Sequence, residues 1–386
     1  MSQNINQLAE SFCQFVQTTF KTTDFIPLHI PTLNGNEEAY VVDAIRSTFV
    51  STVGQRVVDF EQQMATYLGV KHAVAMVNGT AALHIALLAV GVKPDSEVLT
   101  QPLSFVATTN AIHYCNAEPV FIDVDAASMS LCPKALASWL EQNAEIVDGK
   151  AINKHTQKPI SACVPMHSFG FIGDIEGVIE VCQQYGIPVV EDAAESLGST
   201  KNDQHAGTFA SCGAISFNGN KIMTTGGGGM LVTNDDEIAQ VARHLSTTAK
   251  VPHKWEYVHD VVGFNFRMPN LNAALGVAQL EQVPSFMRAK RELAKSYQAF
   301  FADTEITFIT ELPNTQVNYW LCTVKLADKT QRDAFLTVTN DSGIMTRPAW
   351  QLLNTLPAFK HCQAGPLPNA THLADCIVNI PSSVIV

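Results

Sequence analysis

From about residue 70 to residue 245 the chain alternates short apolar runs with stretches of helical periodicity, and that alternation restricts the fold more than any other feature. Ala73–Val77, Glu97–Thr100, Pro119–Val124, Ser161–Pro165, Ile187–Val190, Ala214–Phe217 and Met230–Thr233 read as strands. Ala81–Val90, Phe105–Tyr114, Ile175–Tyr185 and the stretch from Asp235 to Leu245 read as helices, with Asp174 as a cap and Gly186 as a stop. Strands separated by helices cannot pair as hairpins. The pattern therefore predicts an α/β fold, with a mostly parallel central sheet and helices on both faces. The composition shifts near 246–262. Beyond it, Leu271–Gln282 and Ser285–Phe301 read as two helices, Ile306–Ile309 and Leu321–Lys325 as strands, and Arg332–Thr339 as a helix, before a tail rich in Pro and Gly. This second part predicts a smaller C-terminal α+β lobe. At the other end, Leu8, Phe12, Phe15, Val16 and Phe20 fall at the spacing of an amphipathic helix. The expected organisation is an N-terminal helical extension over 1–25, a large domain over 26–250 and a small C-terminal domain over 251–386.

Composition excludes several function classes. Twenty-four Lys and Arg face 36 Asp and Glu, a net charge of −12, so a broad nucleic-acid footprint is not expected. No run reaches the roughly 18–20 apolar residues of a membrane span. The first 20 residues lack the basic start and apolar run of a secretory signal. The nine cysteines are scattered, with no C-x-x-C pair, which suits reduced thiols in the cytoplasm. The twelve histidines show no H-E-x-x-H or paired Cys/His spacing, so no metal is expected.

In a parallel sheet, ligands bind beyond the carboxyl ends of the strands. Three such ends carry chemistry. After the first comes Asn78-Gly79-Thr80-Ala81-Ala82, where a helix opens at once and its free N–H groups suit a phosphate; an ordinary capped turn reads the same way. After Ile187–Val190 come two acids, Glu191 and Asp192, of which at least one should face inward, unless both merely favour a helix start. After Ala214–Phe217 comes Asn218-Gly219-Asn220-Lys221, followed by Gly226 to Gly229. The glycines allow close approach of a flat ligand or another backbone, and Lys221 is either a solvated loop residue or a reactive amine. Together, a phosphate cradle, a strand-end acid and a lysine about thirty positions later match pyridoxal phosphate. That cofactor needs a lysine for its Schiff base and a carboxylate to keep its ring nitrogen protonated.

Four segments in order carry a resemblance: Asn78-Gly79-Thr80-Ala81-Ala82-Leu83, Glu191-Asp192-Ala193-Ala194-Glu195, Ser216-Phe217-Asn218-Gly219-Asn220-Lys221 and Gly263-Phe264-Asn265-Phe266-Arg267-Met268. From about Ile26 to the C-terminus the chain resembles the fold-type-I sugar-nucleotide aminotransferases of the DegT/StrS family. Ile26-Pro27-Leu28-His29, Val50-Ser51-Thr52-Val53-Gly54 and Asn218-Gly219-Asn220-Lys221 resemble most the branch acting on UDP-linked 4-keto-6-deoxy-N-acetylhexosamines on the way to bacillosamine or legionaminic acid. The resemblance implies an enzyme that moves the amino group of L-glutamate to a nucleotide-linked keto sugar for glycan or surface-polysaccharide synthesis. GDP- and dTDP-linked sugars, or a 3-keto position, are the alternatives, and a non-catalytic regulator on the same scaffold is the rival of another class. It implies that Lys221 holds pyridoxal 5'-phosphate and moves protons, that Asp192 pairs with the ring nitrogen, and that Glu195 sits by the ring oxygen. Gly79, Thr80, Ala81 and Ser216 would cradle the phosphate, and Phe105 would stack on the ring. Asn265 would reach the phosphate in the neighbouring subunit, making a homodimer with shared active sites. His167 and Arg347 would bind substrate.

Overall fold

Seven strands build the central sheet: β1 (His72–Met76), β2 (Glu97–Thr100), β3 (Glu118–Phe121), β4 (Ile160–Val164), β5 (Val190–Asp192), β6 (Cys212–Ser216) and β7 (Gly229–Thr233). The computed structural model describes residues 5–385; Met1 to Asn4 of the N-terminal segment and Val386 lie outside the described residues. The spatial order is β1-β7-β6-β5-β4-β2-β3, with β5 and β4 joined by the parallel bridges Cys163↔Val189 and Met166↔Asp192. Only β7 runs antiparallel to its neighbours. The strands are buried almost throughout because helices cover both faces. Alternation along β1 divides the packing: Val74 and Met76 enter one apolar cluster with Ile85 and Leu231, whereas Ala73 and Ala75 enter another with Phe60 and Ile215.

The second sheet contains β8 (Thr307–Phe308), β9 (Cys322–Lys325), β10 (Arg347–Pro348) and β11 (Ile377–Ile380), in the antiparallel order β8-β9-β11-β10. β11 and the helix before it, Pro368–Cys376, lie in the stretch that sequence reading treated as an irregular tail. The apolar run Ile377-Val378 was the available signal, and pairing with β9 makes it a central strand.

Two other elements depart from expectation. The helices expected at Leu271–Gln282 and Ser285–Phe301 are one, Asn270–Phe301, running through Pro284. Val283 and Phe286 are buried on either side, while Pro284 is exposed, so the ring needs no core space. The strand expected at Ile187–Val190 instead spans Val190–Asp192, because its ladder to β6 pairs Glu191 with Gly213 and Asp192 with Ala214. Both acids therefore belong to the strand itself.

The helix Ile5–Phe20 buries Leu8, Ala9, Phe12, Cys13 and Val16 against the C-terminal lobe. The Phe12 ring lies 5.3–5.9 Å from the rings of Tyr297, Phe300, Phe301 and Phe335. Phe12→Ala is expected to lower the unfolding free energy by about 3–5 kcal/mol in urea titration. Gln14→Ala, on the exposed face of the same helix, should change it by less than about 0.5 kcal/mol.

Candidate active site

The carboxyl ends of β1, β5 and β6 meet two small-lobe tryptophans, Trp320 and Trp350, around a cavity of about 290 Å³. Gly79, Thr80, Phe105, Asp192, Glu195, Ser216 and Lys221, seven of the residues singled out from sequence, line it.

The β1 end runs straight into a helix start whose first donors face the cavity. Asn78 caps the helix Gly79–Ala89, its Oδ1 accepting the Ala81 N–H at 2.8 Å. The Ala81 donor, expected to be free for a phosphate, is therefore already satisfied. Gly79 and Thr80 are the residues whose N–H groups head the helix without an intrahelical acceptor. Glycine is needed at 79, because a Cβ there would stand 2.8 Å from Ser216 Cβ and 3.1 Å from its hydroxyl. The last glycine of the run has a similar cause: a Cβ on Gly229 would lie 2.3 Å from the backbone of Asn78. Gly229 makes room for the neighbouring turn.

Alternation along β5 separates the adjacent acids. Asp192 faces the cavity. Its Oδ2 accepts from the Thr108 hydroxyl at 2.7 Å and its Oδ1 from the Ala194 N–H at 3.2 Å. Burial nevertheless raises its pKa, against the opposing pull of these bonds and of Lys221. Glu191 is fully buried elsewhere. It accepts from the N–H groups of Gly207, Phe209 and Ala210 and pairs with His167 Nε2 at 2.9 Å. His167, expected to bind substrate, is thus held in a buried acid pair and does not line the cavity.

Lys221 Nζ stands 3.1 Å from Glu195 Oε1 and 3.9 Å from the centre of the Trp320 ring. The other Glu195 oxygen accepts the Phe169 N–H at 2.9 Å. Phe169 has φ 58°, a left-handed conformation that costs energy for a bulky residue. Its ring stacks on Trp350 at 4.6 Å. Burial raises the Glu195 carboxyl to about 7, with the Lys221 charge opposing the rise. Near neutral pH this side chain can therefore carry a proton and donate it to an oxygen.

Two further expected residues stand apart. Arg347 is exposed, donates to Asn340 Oδ1 and its own lobe's Thr346 carbonyl at 2.8 Å, and does not line the cavity. Asn265 is exposed, outside the lining of its own chain's cavity. Sequence reading missed Trp320, Trp350 and Thr108. Trp320 immediately precedes the apolar run of β9, and Trp350 ends the Thr346–Trp350 segment in which the arginine drew attention instead. Thr108 carried no signal, since its distance to Asp192 is tertiary.

An amine, a buried carboxylate across the cavity and an N–H and hydroxyl cradle that a Cβ at 79 would fill match the aldehyde, ring nitrogen and phosphate of pyridoxal 5'-phosphate. Comparison with known proteins agrees. The model of the DegT/DnrJ/EryC1/StrS aminotransferase family matches residues 31–385. The GDP-perosamine synthase of Vibrio cholerae is 36% identical over 363 residues, 92% of this chain and 94% of that protein. The GDP-perosamine synthase of Caulobacter vibrioides is 34% identical over 361 residues, 92% of this chain and 93% of that protein. The crystal structure of the aminotransferase TlmJ from Streptoalloteichus hindustanus superposes with a TM-score of 0.84 at 29% identity, covering 93% of each chain.

The raised Glu195 pKa has a consequence for stability. Its unfolded value is near 4.5, so between about 4.5 and about 7 the native state binds more protons than the unfolded state. The contribution of the neutral group is fully present below about 4.5 and is lost as pH rises through about 7. Urea titrations of cofactor-free protein should show wild type losing stability relative to Glu195→Gln across that window. A constant difference would contradict the assignment.

Proposed function

Because the chain belongs to the DegT/DnrJ/EryC1/StrS aminotransferase family, we propose that it transfers the amino group of L-glutamate to C4 of a GDP-linked 4-keto-6-deoxy sugar, releasing 2-oxoglutarate. Aminotransferases of this family are pyridoxal-phosphate-dependent and act on sugars. The observation that carries the reading is the meeting of Lys221, Glu195 and Asp192 in one cavity. Among the nucleotide alternatives, kinship with two proteins named GDP-perosamine synthases supports the GDP-linked sugar over the UDP-linked N-acetyl sugar favoured by the short motifs.

Pyridoxal phosphate, when bound, supplies an electrophilic carbon and a cationic ring that withdraws electrons from the bond being broken. The chain's own residues do the rest. Lys221 would hold the group through Nζ and, once displaced by an incoming amine, take and return a proton at that atom. Asp192 would face the ring nitrogen and favour its protonated form. Glu195 would stand by the ring oxygen, where it could donate or accept one proton near neutral pH. The Gly79 and Thr80 N–H groups and the Ser216 hydroxyl would hold the phosphate and so anchor the cofactor relative to Lys221. Phe105, half exposed at the cavity and 6.3 Å from Trp350, would stack on the ring.

The active form in this reading is a homodimer, with Asn265 completing the partner's site. Exposed Phe49, Val53, Trp255, Tyr257 and Val262 supply apolar surface for it. The cytoplasm is the expected compartment, and glycan or surface-polysaccharide synthesis the expected use of the product. Among the described residues, no helix is long and apolar enough to cross a membrane.

Absorbance tests the reading directly. Protein loaded with pyridoxal phosphate should show a visible band that glutamate bleaches and a GDP-4-keto-6-deoxy sugar restores. UDP- and dTDP-linked ketosugars should restore it more slowly. Lys221→Ala should abolish turnover and covalent loading while keeping the wild-type circular dichroism. A wild-type protein without the band, or a faster return with the UDP sugar, would overturn the cofactor or the nucleotide assignment respectively. Mixing inactive Lys221→Ala with impaired Asn265→Ala should recover activity through hybrid dimers, and a site complete within each chain would give none.

A further inference from the structure

Lys290 lies on the long helix Asn270–Phe301, 1% exposed, and no carboxylate pairs with it among the described residues. A buried ammonium normally faces an acid, because removing it from water is costly. Here its hydrogen bonds run to two backbone carbonyls, that of Trp320 at 3.3 Å and that of Ser382. Burial pushes the amine down to about 7.

The two carbonyls have a defined relation. The ladder between β9 and β11 ends at Cys322↔Ile380. Continuing its register by two residues brings Trp320 opposite Ser382. Lys290 thus bridges the strands just past their last rung, where Cys322 N–H is taken by the Ser382 hydroxyl at 2.7 Å.

One of the bridged residues is the tryptophan on which Lys221 rests. Every polar atom of Trp320 is held. Its N–H donates to Asn318 Oδ1 at 2.7 Å, its Nε1 to the Asn220 carbonyl at 2.6 Å, and its carbonyl accepts from Lys290. Asn318 in turn donates to the carbonyls of Glu195 and Leu197 at 2.8 and 3.0 Å. Two of the three bonds therefore lead to the segments carrying Lys221 and Glu195, and the third leads to Lys290.

We propose that Lys290 is a positioning residue of the active site: by clamping the Trp320 carbonyl to the Ser382 carbonyl, it fixes the indole against which the Lys221 amine is oriented. The inference rests on the aminotransferase reading, in which the orientation of Lys221 sets the rate of proton transfer. Methionine keeps most of the side chain's volume without the ammonium. Glutamine keeps one neutral donor.

The test compares pyridoxal-phosphate-loaded wild type, Lys290→Met and Lys290→Gln. Each is measured by circular dichroism, by pH titration of the bound-cofactor absorbance, and by kcat and KM for glutamate. Lys290→Met should fold, lose roughly tenfold in kcat with little change in KM, and shift the absorbance midpoint by about half a pH unit or more. Lys290→Gln should fall between it and wild type. Trp320→Phe, which removes the bond to Asn220 and replaces the indole under Lys221 with a smaller ring, should move kcat and midpoint alike, and its combination with Lys290→Met should be less than additive. A folded Lys290→Met with wild-type kcat and midpoint overturns the proposal, and so does strict additivity with Trp320→Phe. Should Lys290→Met fail to fold, Lys290→Gln decides by the same readouts; failure of both assigns Lys290 to lobe stability alone and also overturns it. Wild type that takes up no cofactor sinks the aminotransferase reading and this inference together, whereas wild-type behaviour in the variants sinks the inference alone.

Discussion

The amine of Lys221 and the carboxylate of Glu195 meet at 3.1 Å, with side chains 13% and 1% exposed. A desolvated pair of this kind is costly to bury and costly to break, so the surrounding chain has to hold both partners closely. That requirement organises much of the molecule. Glu195 is held by the Phe169 N–H on one side and through its backbone by Asn318 on the other. Lys221 is held against Trp320. Phe169 keeps a left-handed backbone, and the next residue must be glycine, since a Cβ on Gly170 would stand 1.9 Å from Asn318 Oδ1. Strain in this loop is offset by the contacts that aim its amide at Glu195.

The same contacts join the two lobes. Asn318, Trp320 and Trp350 come from the C-terminal part of the chain, while Asp192, Glu195 and Lys221 come from the central sheet. The cavity is therefore closed by residues about a hundred or more positions away from the amine they surround. The N-terminal helix strengthens the smaller lobe from behind, where Phe12 meets the aromatic rings of the long helix and Phe335. Packing far from the chemistry thus bears on the position of the tryptophans that wall it.

Much of this was legible before any coordinates. Alternation of strand and helix patterns implied the layered α/β body, and the ends of three strands pointed to the Asn78-Gly79-Thr80 turn, the acid and the lysine that line the cavity. Those features are local: caps, periodicity and glycines act within a few residues. The illegible parts share a different property. Whether Glu191 or Asp192 faces the cavity depends on the register of β5 against β6, because a shift of one residue exchanges the faces. Whether His167 binds substrate depends on which buried acid lies beside it. The continuity of the helix through Pro284 depends on burial at Val283 and Phe286.

By itself the sequence determined most elements of the central layers, the acidic net charge and the candidate amine, since these follow from residue type and short-range spacing. Only the tertiary structure decided which side chains converge. It brought Trp320, Trp350 and Thr108 to the site and removed Ala81's donor, His167 and Arg347 from it. The physical reason is that desolvation and hydrogen bonding act between groups close in space, and residues distant in sequence become neighbours only when both lobes pack.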